Sequence, residues 1–102
     1  MHTYSTVEQV VGTWVDGKPI YEIVVESTAR SIDVSGLSAD KWIYIDALSR
    51  RSTGEQSAAT SGGRQLVYFL ANQNKINTEN NTSDTMICYI LRYTKTTDSP
   101  TV

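Results

Sequence analysis

Gln9-Val10-Val11-Gly12-Thr13-Trp14-Val15-Asp16-Gly17-Lys18-Pro19-Ile20-Tyr21-Glu22-Ile23-Val24-Val25-Glu26 holds two β-prone runs, residues 9–15 and 20–26, on either side of Asp16-Gly17. Asp-Gly between such runs is the strongest short-range hairpin signal, because both central residues of a type I′ turn take positive φ. Pro19 has no amide hydrogen to give a ladder, which assigns it to the start of the returning strand or to an edge. Gly12 suits a bulge or a close approach, and Trp14 is expected to anchor the hairpin on the core. The stretch predicts a β-hairpin.

Outward from the hairpin the same pattern continues. Residues 28–34 read as a third strand, ended by Ser35-Gly36. In residues 42–48, Trp42, Tyr44 and Asp46 alternate with Ile43, Ile45 and Ala47, the period of a strand. Residues 64–72 and 85–94 supply two more apolar strands. Residues 49–63 have only Ala58 and Ala59 as apolar members and read as a long polar loop. Residues 73–82 are Asn-rich and loop-like, and residues 96–102 read as a frayed tail. Ahead of the hairpin, Ser5-x-x-Glu8 and Thr6-x-x-Gln9 both fit a capping box and predict one short helical turn. No window holds helical spacing for three turns. The expected fold is all-β, one domain over residues 1–102 with a flexible tail at 95–102. It is an antiparallel β-sandwich or jelly-roll-like fold of six to seven strands.

Composition bounds the function. The chain has 102 residues and a formal net charge of −2, with 39% hydrophobic and 20% charged residues, an ordinary balance for a globular domain. Its 13 Thr and 11 Ser crowd the stretches between strands. The acidic balance argues against a nucleic-acid binder, since Arg50, Arg51 and Arg64 are the densest basic cluster. No apolar run approaches the ~20 residues of a membrane-spanning helix, and the first twenty residues lack the apolar core of a signal peptide. No membrane insertion is expected.

Catalysis has little to work with. His2 is the single histidine and lies at a terminus, so no Ser-His-Asp or Cys-His constellation has an anchored base. Cys88 is the single cysteine, falls mid-strand among apolar residues, and reads as a structural thiol. Neither a disulfide nor a zinc site can be assembled from one of each, and no metal or cofactor is expected. Asp46 reads as a solvent-facing or Arg-paired strand residue. Trp14 and Trp42 read as core before they read as sugar-stacking platforms. The chain is not expected to be an enzyme.

Two strands depart from simple alternation. Leu66-Val67-Tyr68-Phe69-Leu70-Ala71 and Met86-Ile87-Cys88-Tyr89-Ile90-Leu91 are apolar on both faces. Their second face needs cover: another copy of the domain, a ligand held on Tyr68 or Tyr89, or residues 49–63 folded over the sheet. Another copy is the favoured cover, with Tyr68, Tyr89 and Leu91 at the interface.

Tyr4-Ser5-Thr6, the run from Gly12-Thr13-Trp14 through Asp16-Gly17-Lys18-Pro19 to Tyr21, and the closing Tyr93-Thr94-Lys95-Thr96-Thr97-Asp98 carry a family resemblance. The chain resembles the small C-terminal β domain of phage and prophage tail-fibre and virion structural proteins. The two blocks bracket nearly the whole chain, while residues 27–81 match nothing in that group. The resemblance implies a virion location after synthesis in the bacterial host cytoplasm, non-enzymatic adhesion to a bacterial surface glycan, and homo-oligomerisation, with a trimer favoured. It carries over no binding residue. It implies that the divergent middle contains the recognition surface, in residues 49–63 and 73–83, with Arg50, Arg51, Gln56, Asn77, Asn80 and Asn81 the candidate contacts. Two other roles fit the same features: a purely structural oligomerisation module of a virion protein, or a small phage protein that binds a host protein or defence factor.

Overall fold

The structure, a computed structural model, describes residues 2–50, 56–58, 65–80 and 85–99, and only the backbone of 56–58, 65, 66, 79 and 80. Among these residues eight strands follow one another: β1 Gln9–Thr13, β2 Pro19–Glu26, β3 Ser31–Asp33, β4 Ala39–Arg50, β5 Gln56–Ala58, β6 Gln65–Leu70, β7 Lys75–Asn80 and β8 Thr85–Lys95. A 3-10 turn, Ser35–Leu37, separates β3 from β4. One sheet has the order β1-β2-β8-β4-β5 and the other β3-β7-β6. Every pairing is antiparallel. The all-β expectation is met, with one strand beyond the expected range.

The expected hairpin is there, but its turn differs. Gly17 N–H donates to Trp14 O (2.9 Å) and Trp14 N–H to Lys18 O (2.8 Å), so three residues form the loop. Only Gly17 takes a positive φ (88°) there; Asp16 does not, and its carboxylate accepts from Lys18 N–H at 3.0 Å. A single left-handed glycine after a tight turn is the three-residue hairpin geometry, in place of type I′. Pro19 opens β2 opposite Thr13, as expected. The ladder slips between Val10 and Gly12, giving the expected bulge, whereas a side chain at Gly12 would meet only ordinary contact at 3.8 Å.

Three other expectations are corrected. Residues 5–9 form no helical turn, because their side chains have tertiary partners: Glu8 pairs with Lys95 (2.6 Å) and accepts the Tyr93 hydroxyl, and Gln9 reaches Glu22. Residues 73–82 hold β7, whose alternation is real although only one member is a large apolar residue. Ile76 and Thr78 are buried, while Asn77 between them meets Ser31 from β3 (2.7 Å). Asn74 supplies the left-handed residue (φ 52°) of the tight turn into β7, a conformation asparagine tolerates. Residues 49–63 hold β5, three residues paired with Leu48, Ser49 and Arg50.

The two sheets enclose one core. Ala47, Met86, Tyr89, Leu91 and Tyr93 from the larger sheet meet Ile32 and Ile76 from the smaller and Val34, the residue after β3. Burying each large member contributes about 1.5–3 kcal/mol. Trp42 belongs to this core, 5.2 Å from Phe69 and 5.3 Å from Tyr93 between ring centres. It shares that face with Ile45 and Ala47 because the β4–β8 register shifts between Trp42 and Tyr44, which reverses the alternation. Trp14 stays outside the core, half-buried beneath Lys41 (5.9 Å). Tyr89 and Leu91, expected at an oligomer interface, are fully buried between the sheets. A face covered by the chain's own second sheet is not open to another copy. The Tyr89 hydroxyl donates to Ala29 O (2.6 Å) and accepts from Thr78 (3.1 Å), as a buried phenol requires.

Candidate functional site

The outer face of the larger sheet carries a row of polar side chains across β1, β2, β8 and β4. Glu22 is fully buried there, and its carboxylate is surrounded by donors. Arg92 Nε lies 2.7 Å from one oxygen; His2 Nε2 at 2.6 Å and Gln9 Nε2 at 3.2 Å reach the other. Glu22 and Arg92 are register partners on adjacent strands, so the backbone ladder itself sets the pair. Burial pushes the Glu22 carboxyl up, but the hydrogen bonds from Arg92, His2 and Gln9 outweigh it and hold the group below its ordinary value. Reciprocally, the bond to Glu22 holds the Arg92 guanidinium charged.

The row continues into β4. Arg92 lies over the Tyr44 ring at 5.3 Å, and Tyr44 donates its hydroxyl to Asp46 at 3.0 Å. Asp46 is buried, which removes the solvent-facing one of its two expected readings, and it also accepts from the Ala47 N–H (2.9 Å). Cys88 lies on the same face. Burial, with Glu26 and Asp46 nearby, pushes its thiol up, which suits an inert structural cysteine. Through these bonds the Glu22 cluster ties β1, β2 and β8 together. Among the described residues no three His, Cys, Asp or Glu side chains converge to hold a metal ion. No helix among them is long and apolar enough to cross a membrane.

Three of the six expected contact residues, Arg50, Gln56 and Asn80, stand at strand ends. Arg50, exposed at the end of β4, is the register partner of both Gln56 and Thr85. Asn80 ends β7 opposite Gln65, and the next strand, β8 from Thr85, belongs to the other sheet. In the sequence Arg50 and Gln56 bound residues 51–55, and Asn80 precedes residues 81–84. Asn77 is set back within β7, tied to Ser31; Arg51 and Asn81 lie outside the described residues. Tyr68 is half-buried on β6 opposite Asn77.

The opposite end is closed by cross-links between the beginning and the end of the chain. Buried Lys18 pairs with Asp40 (2.9 Å) and donates to Lys95 O (3.2 Å). Tyr21 stacks on Tyr93, lies 4.7 Å below the Lys95 ammonium, and donates to Asp98 (2.8 Å). Thr96 N–H donates to Ser38 O (2.9 Å). Residues 96–98, expected to begin a frayed tail, are thus tied to β2 and to the residue before β4. Glu22 and Arg92 went unremarked in the sequence; the signal was one carboxylate within an apolar strand and one guanidinium within another. Comparison with protein-family models, with curated proteins and with solved structures finds no match to this chain.

Proposed function

We propose that the chain is a non-catalytic adhesion domain of a phage virion protein, a tail-fibre or receptor-binding tip that offers one end of its sandwich to a bacterial surface glycan and associates with further copies of itself. The observation that supports this is that Arg50 and Gln56, two of the expected contacts, are register partners at the end of β4 away from the cross-linked end. Glu8, Lys18, Tyr21, Tyr93, Lys95 and Asp98 are spent on one another at the closed end. In the sequence Arg50, Gln56 and Asn80 border stretches rich in hydroxyl and amide side chains. A rigid frame with variable polar connections at one end is how β-sandwiches carry binding surfaces. Guanidinium, amide and hydroxyl groups are the donors and acceptors that sugar hydroxyls need. The buried, donor-saturated Glu22 and the buried Cys88 favour binding over catalysis.

The test is cell binding by the Arg50→Ala/Gln56→Ala double variant. Binding is expected to fall at least tenfold while the melting temperature stays within a few degrees. Unchanged binding to cells would refute the assignment of that end. A wild-type chain that binds neither cells nor isolated surface glycans would refute the adhesion role.

A further inference from the structure

The two sheets have four edge strands among the described residues: β1, β5, β3 and β6. Natural sheets blunt their edges with short strands, bulges, charges or proline. β3 and β5 are three residues each, β3 ends on Asp33, and β1 is broken by the bulge at Val11. β6 has none of these devices. It is six residues long, Gln65-Leu66-Val67-Tyr68-Phe69-Leu70, with no charge, proline or glycine, and its register with β7 is unbroken.

We infer that β6 pairs antiparallel with β6 of a second copy, about a two-fold axis through Tyr68. This rests on the self-association in the proposed function and names its surface. The strand is its own complement. With Tyr68 opposite Tyr68, position 67 faces 69 and position 66 faces 70, so every pair lies on one face of a continuous six-stranded sheet. Val67 and Phe69, which pack toward the core of each copy, meet on the inner side. Tyr68 and Leu70, both half-buried, fall by alternation on the outer side. No charge opposes a like charge. The row through Lys75 and Leu70 of one copy continues through positions 66 and 79 of the other, where position 79 is a glutamate. Opposite charges therefore flank an uncharged seam.

The experiment is sedimentation velocity on the full chain across a concentration series, for wild type, Tyr68→Lys, Tyr68→Glu and an equimolar mixture of the two variants. Wild type is expected at twice 11.3 kDa. Each variant alone is expected as a folded monomer, its dissociation constant raised at least 100-fold because like charges meet on the axis. The mixture is expected to recover the dimer, an outcome that a damaged fold would not give. A wild type that stays monomeric, or a Tyr68→Lys variant that stays dimeric, overturns the pairing. A trimer indifferent to both substitutions also overturns it, while leaving an oligomeric virion domain standing on another surface. Loss of pairing with cell binding retained would separate this interface from the adhesive end.

Discussion

The two faces of the β2–β8 ladder are buried by opposite means. On the inner face Leu91 and Tyr93 belong to the buried cluster shared with the smaller sheet, Tyr21, Ile23 and Val25 pack against that cluster, and the cover is apolar. One residue along each strand, on the outer face, Glu22 and Arg92 are joined by a charged hydrogen bond, with His2, Gln9 and Tyr44 arranged around them. Burial inside needs volume matched to volume, whereas burial outside needs each lone pair matched to a donor. Apolar residues on both faces of β8 therefore do not by themselves require another copy of the domain. Cys88 and Ile90, which made β8 look two-sided, share the outer face with buried Asp46 and half-buried Leu48.

The contrast predicts different losses on the two faces. Leu91→Ala opens a cavity beneath the second sheet and is expected to cost about 3–4 kcal/mol in a urea titration. A loss under 1 kcal/mol would mean that the inner face is loosely packed. On the outer face, Glu22→Gln removes the charged acceptor of Arg92 and is expected to cost roughly 2 kcal/mol at pH 7.

That second variant has a pH signature. The Glu22 carboxyl is lowered in the folded chain, so its stabilisation is present above the unfolded value near ~4.3 and is lost as pH falls through the lowered folded value. Asp33, lowered by hydrogen bonds from Ser35, acts in the same direction. Stability of Glu22→Gln measured from pH 7 to pH 3 should therefore fall less steeply than that of the wild type, without becoming flat. Equal slopes would show that Glu22 is not held ionised by its donors.

The smallest effect has the opposite sign. Ser49 is fully buried on the inner side, and its hydroxyl has no hydrogen-bond partner among the described residues. Ser49→Ala is expected to leave stability unchanged or to raise it by up to about 1 kcal/mol. A clear loss would reveal a partner for that hydroxyl.

The hairpin and most strands were legible because Asp16-Gly17 and the apolar runs act locally. Three things were not. The strand β7 hides in Lys-Ile-Asn-Thr-Glu-Asn, where an inward threonine bonded to Tyr89 substitutes for the apolar residue that alternation looks for. Trp42 was read as core and is core, but its sharing a face with Ile45 and Ala47 depends on a register shift against β8, which residues 42–48 do not encode by themselves. Glu22 and Arg92 stand 70 positions apart, and only strand pairing reveals that each is the other's partner. The candidate contacts were legible as polar stretches, and the pairing of Arg50 with Gln56 follows from strand register.

The sharpest test puts a lysine in turn on the inner face of β8 and on the edge strand β6, with near-ultraviolet circular dichroism and molar mass recorded for each. Leu91→Lys, placing a charge between the sheets, should abolish the folded spectrum, while Tyr68→Lys should keep it and lose only the dimer. A Leu91→Lys chain that stays folded and merely dissociates would contradict the assignment of that face to the core.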